Sequence, residues 1–225
     1  MPDNDHQSLA TGFMQILVWL TVLGAVGLVG GNIVGSIVVP GHDFVADTVS
    51  DLAAGRYEII QDVSLYGFAT SLFALALAAA HVHNGTTSWS ILTFTLAFLA
   101  VCVVIIGARN EYGDGDSAGI VIHIYIVYAL GLLFSVVFAI AGLRGGRIAD
   151  FIVPVSWVCF VLWITGAPIF FFLPTEWDGL WERGLGVVSV VWAITFALGL
   201  GKYCQQRAGR TGYCCLYPRG VGAST

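Results

Sequence analysis

Charge is what this sequence has least of. Lys, Arg, Asp and Glu supply 10% of its 225 residues against 57% hydrophobic, and its mean hydropathy is +0.85. That is too little polar surface to cover a water-soluble globule of this size, so the bilayer must be its solvent. The net charge of -5 and the lack of a basic stripe exclude a nucleic-acid partner. No glycine-rich nucleotide loop occurs. Residues 1–11 hold no Lys or Arg and include Asp3 and Asp5, so the basic region of a cleaved secretory signal is missing and the first apolar stretch is expected to stay as an anchor. Among the five cysteines there is no CxxC pair. Cys102 and Cys159 fall in apolar runs as small hydrophobes, and Cys204, Cys214 and Cys215 are expected as thiols in a reducing compartment. Adjacent Cys214 and Cys215 could take a lipid, but the glycines and Pro218 around them favour a disordered tail.

What the chain does have is six long apolar stretches, at about 12–39, 62–80, 89–108, 119–143, 152–173 and 180–200. Each approaches or exceeds the ~20 residues that a helix needs to cross hydrocarbon. Barrel strands would alternate apolar with polar, whereas Phe94 to Gly107 is apolar on every face. The expected fold is therefore all-α: a polytopic membrane protein with a six-transmembrane-helix bundle over 12–200, between a short segment 1–11 and a disordered tail 201–225. Arg144, Arg147, Lys202, Arg207, Arg210 and Arg219 fall on one side of this arrangement, and Arg56, Arg109 and Arg183 on the other. That asymmetry places both termini in the cytoplasm of a cell-membrane protein.

Acidic residues are skewed the opposite way, with Asp43, Asp47, Asp51, Glu58, Asp62, Glu111 and Glu182 among those expected at the outer face. Asp62, Asp116 and Glu182 would complement helix N-termini, while Asp43, Asp47 and Glu111 fall in loops and need another reason. Within span one, Gly27-x-x-x-Gly31-x-x-x-Gly35 predicts a close helix contact. Pro168 should kink the fifth span.

The first outer loop, 40–61, has structure of its own. Phe44, Thr48 and Leu52 recur at helical spacing, Thr48 and Asp51 form a capping-box pattern, and Gly55 suits a stop. A short interfacial helix is expected over about 48–54. Ser50 and Asp51 are then either first-turn polar residues or side chains turned toward the bundle mouth. The second outer loop carries Arg109, Asn110, Glu111, Asp114 and Asp116 without the later ligands of an EF-hand. His123 follows, about one turn into span four, where an imidazole must face the bundle or a wet cavity. It is expected to pair with Asp62 or Glu111, for function or for packing. His81 and His83 are expected at the other interface.

Asp47-Thr48-Val49-Ser50-Asp51-Leu52-Ala53-Ala54-Gly55, Asp62, Asn110-Glu111 with His123, and Trp181-Glu182-Arg183 together resemble the prokaryotic six-span membrane proteins called domain of unknown function family 998. The likeness covers roughly 12–200 and implies the six-span architecture and a polar outer site. More faintly, the same order of residues is similar to the eukaryotic damage-regulated autophagy modulator family, whose relatives act in lipid-anchor remodelling and membrane lipid organisation.

The favoured functional reading is a non-enzymatic membrane protein that binds a lipid headgroup or small polar ligand at the outer face. Ser50, Asp51, Arg56, Asp62, Arg109, Glu111, His123, Glu182 and Arg183 are the candidate ligand residues, with the arginines pairing phosphate. The alternative is an intramembrane hydrolase of a lipid-like ester or amide, with Ser50, Asp51 and His123 as catalytic candidates, or with a divalent metal on Asp62, Glu111 and His123. Two outer histidines, His42 and His123, are few for zinc, and Ser50 lacks a G-x-S-x-G context. A small transporter is third. No cofactor is expected, and membrane lipids are the expected partners. Oligomeric state is left open.

Overall fold

A computed structural model describes residues 4–53, 56–83, 85–108, 122–211 and 214. Seven α-helices are found among them: α1 Asn4–Val38, α2 Val49–Leu52, α3 Glu58–His81, α4 Thr87–Ala108, α5 Ile122–Arg144, α6 Ile152–Phe170 and α7 Asp178–Thr211. All but α2 contain a segment long and apolar enough to span a bilayer, and 86% of the described residues are helical. The fold is the expected all-α six-span bundle. The expected second outer loop, with Arg109, Glu111, Asp114 and Asp116, lies outside the described residues, as do Gly55 and most of the segment after Thr211.

The spanning helices close a ring. α1 packs on α3, α3 on α4, α4 on α5, α5 on α6, α6 on α7, and α7 back on α1. The tightest seam is α1 against α3, where a Cβ on Gly24 would meet the Gly67 carbonyl and one on Gly31 would meet the Ser64 side chain. Ser71 ties the same seam by donating its hydroxyl to the Thr21 carbonyl at 2.6 Å, while the Thr21 hydroxyl lies 2.9 Å from its own helix's Leu17 carbonyl and 3.3 Å from the Ser71 carbonyl. Gly27 has open space beside it, so the close contacts of α1 are Gly24 and Gly31 on α3 and Gly35 on Leu52 of α2, rather than the expected Gly27, Gly31 and Gly35. Seven residues are nearly two whole turns, which puts Gly24 over Gly31.

One half of the ring is filled by aromatic rings. Trp192 stacks on Phe196 at 5.0 Å between centroids and meets Phe138 edge-on at 5.1 Å, and Phe138 and Phe134 both reach Trp163. Each buried indole N–H has an acceptor: Trp89 the Ala79 carbonyl, Trp163 the Gly131 carbonyl, Trp192 the Ser156 hydroxyl. That removes the desolvation cost of a bare donor. Beyond this end, α7 continues past the expected end of the last span to Thr211, and Cys204 on it forms a disulfide with Cys214. The structure thus pairs Cys204 with Cys214 where free thiols were expected; Cys215 lies outside the described residues. Sequence offered no spacing signal for the pair, because the helix that brings Cys204 toward Cys214 extends beyond the apolar run. Cys102 and Cys159 are free and buried, as expected. Pro168 falls in the last turn of α6, which ends two residues later, so it marks that helix's end rather than the middle of a span.

Candidate functional site

The other half of the ring is open inside. A cavity of about 1030 Å³ lies between α1, α3, α4, α5, α6 and α7, capped by the loop that carries α2. Its walls are mainly hydrocarbon and aromatic, from residues such as Leu28, Phe68, Val103, Val127, Phe134, Trp163 and Leu185. Phe134 and Trp163 also belong to the aromatic cluster and so form the boundary between the open and the filled half. Asn32, Thr48, Ser50, His123, Glu182 and Arg183 bring polar atoms to the loop end.

The loop is built to hold its place. Asp43 Oδ1 accepts from the Val45 and Ala46 N–H groups, which lowers that carboxyl's pKa. The capping box of α2 is complete, with Asp51 Oδ2 accepting from the Thr48 N–H and hydroxyl at 2.7 Å each and the Asp51 N–H donating to Thr48 Oγ1. α2 is a single turn, shorter than expected, with Leu52 buried and in contact range of Gly35. The N-terminus of α7 donates into the loop, Gly179 N–H to Ala46 and Leu180 N–H to Val45. Glu182 accepts the Val49 N–H at 2.7 Å.

Arg183 is the tie between loop and ring, and it is only 8% exposed. Its Nε donates to Asn32 Oδ1 at 2.9 Å, Nη1 to the Phe44 and Asp47 carbonyls at 3.0 and 2.7 Å, and Nη2 to Ser36 Oγ and His42 Nε2 at 3.4 and 2.8 Å. Its guanidinium also sits 4.4 Å from the Phe44 ring centroid. A buried cation costs several kcal/mol unless it is so satisfied, and all five guanidinium N–H groups are matched by acceptors. Because arginine can only donate, His42 Nε2 must be the acceptor, which puts the imidazole proton on Nδ1, facing Asp47 Oδ2 at 3.4 Å. Burial, then the neighbouring Arg183, hold the His42 pKa below its ordinary value, against the weaker pull of Asp47, Asp51 and Asp43.

His123, near the start of α5, meets Ser50: Ser50 Oγ and His123 Nε2 are 3.2 Å apart. The expected partner Asp62 is not what the imidazole meets; Nδ1 has no hydrogen-bond partner among the described residues, and Glu111 lies outside them. Asp62 on α3 and Asp51 on α2 do not line the cavity, and Asp51 is occupied by the cap. Arg56 is exposed, with its guanidinium 5.6 Å from the Tyr57 ring centroid and away from the cavity. Among the described residues no three His, Cys, Asp or Glu side chains gather as metal ligands. The structure thus brings Ser50, His123, Glu182 and Arg183 together. Asn32 and His42 were missed as site residues, although a lone Asn inside an apolar span is itself a signal for a polar site.

A family model described as Protein of unknown function (DUF998) matches residues 16–199. No curated protein and no solved structure matches the chain, so the fainter likeness to the autophagy modulator family finds no support.

Proposed function

The chain belongs to the DUF998 family, whose description names no activity, and from the site itself we propose that it binds one amphiphilic lipid. The lipid's chain would lie inside the ring and its polar end under the α2 loop, which we place at the outer face. The observation that carries this reading is the cavity of about 1030 Å³, apolar along its walls and polar at one end. It is at the top of the ~300–1,000 Å³ range of small-molecule sites. A lipid chain gains little by leaving one apolar medium for another, so selection must come from the polar end. Ser50, His123 and Glu182 are the groups offered there. Arg183 spends its N–H groups on the protein, and Arg56 lies off the cavity. Among the described residues neither supplies the phosphate clamp expected from sequence, and a neutral polar end rich in hydroxyl or carbonyl oxygen fits these residues better than an anionic one.

Gly131 and Gly186 line the cavity and have open space where a Cβ would stand. Gly131→Trp and Gly186→Phe should therefore fill it without touching the loop. Native mass spectrometry of detergent-purified protein should detect a retained lipid, and each filled variant should retain at least about tenfold less. Equal retention by both filled variants, or no lipid adduct on the unmodified chain, would defeat the reading.

A further inference from the structure

We infer that Ser50 and His123 are the nucleophile and general base of an acyl transfer to water, cleaving a carboxylic ester of the lipid held in the cavity. This rests on the lipid-binding reading and adds chemistry to it. The capping box explains Thr48 and Asp51 completely, yet it leaves the Ser50 hydroxyl unused. That hydroxyl meets an imidazole brought from a helix 73 residues away, at a separation suited to a nucleophile and its base before substrate closes the site. Both groups line the cavity at its polar end, the level at which a lipid's ester carbonyl stands between headgroup and chain. Glu182, through the Val49 N–H, and Arg183, through the Asp47 carbonyl, fix the backbone on either side of Thr48. They are positioning residues.

In the forward step the Ser50 Oγ–H proton passes to His123 Nε2 as Oγ bonds to the ester carbonyl carbon. The tetrahedral adduct collapses, the carbon–alkoxy bond breaks, and the departing alcohol takes the proton from Nε2. Water then attacks the acyl-Ser50 by the same route, giving a carboxylic acid and restoring the hydroxyl. No electron acceptor is needed, and the co-reactant is water.

The test uses the full chain in lipid-containing detergent micelles with a long-chain alkyl fluorophosphonate. A covalent adduct is expected on the peptide containing Ser50. Ser50→Ala should abolish it, and His123→Gln should slow its formation by about 100-fold or more. Ser50→Cys should restore a nucleophile that an alkylating lipid analogue modifies. Unmodified protein that retains lipid but forms no adduct at Ser50, or an adduct rate indifferent to His123→Gln, would overturn the acyl-transfer inference and leave lipid binding intact. Protein that retains no lipid would instead overturn the reading on which the inference rests.

Discussion

Arg183 has five N–H groups and gives all of them to the protein, and this fixes the protonation state of its neighbour His42. A neutral Nε2 is required to accept the guanidinium hydrogen bond at 2.8 Å. Protonation there would set two donors and two like charges against each other, at a side chain only 2% exposed. The His42 pKa is depressed, so between its folded value and the ordinary 6.5 the unfolded chain binds more protons than the folded one. The contribution from His42 is therefore fully present above about 6.5 and is lost as pH falls through the folded value. Thermal unfolding between about pH 8 and about pH 5 should show that loss, and His42→Gln should flatten the slope in this window. An unchanged slope would mean that His42 is not the titrating group. At this scale the sequence was partly legible. His123 announced itself by its depth in an apolar helix, and Thr48 and Asp51 by their spacing. The Ser50–His123 and Arg183–Asn32 contacts join segments 73 and 151 residues apart, and no local pattern encodes such pairings.

At the scale of the elements, the six spans and the capped turn of α2 follow from run length and capping chemistry, whereas the register of α1 on α3 does not. Glycines at 24, 27, 30, 31 and 35 all permit close approach, and only the neighbouring helix decides which are used. The structure makes that choice testable with opposite signs. A methyl on Gly24 would collide with the Gly67 backbone carbonyl, which cannot rotate aside as a side chain can. Gly24→Ala should therefore destabilise the protein by about 1–3 kcal/mol. Gly27 is exposed with nothing near its Cβ position, so Gly27→Ala should be neutral or stabilising by up to about 1 kcal/mol, through helix propensity alone. Thermal unfolding of both variants in one detergent checks the pair. Equal destabilisation would restore the Gly27 face.

For the whole molecule, a ring half filled with aromatic side chains and half hollow has two unlike ends, and which end faces outward decides where a ligand enters. Two observations pull in opposite directions. The end that carries Arg144, Arg147, Lys202, Arg207 and Arg210 is the basic one, and the positive-inside bias favours a cytoplasmic position for such an end. The Cys204–Cys214 disulfide belongs to the same end, and disulfides favour an oxidising compartment. The basic bias acts while the chain is being inserted and a disulfide forms only afterwards, so the bias should decide orientation and the cellular redox poise should then decide the bond. Arg56 at the α2 end and Asp150 at the basic end are both exposed. With Cys215 replaced by serine, Arg56→Cys should react with a membrane-impermeant maleimide on intact cells, and Asp150→Cys should react only after permeabilisation. Acid-quenched thiol trapping in the same cells should find Cys204 and Cys214 reduced, with the disulfide forming after lysis in air. Labelling at Asp150→Cys but not at Arg56→Cys, together with an intact disulfide in cells, would turn the molecule over and open the cavity to the cytoplasmic leaflet.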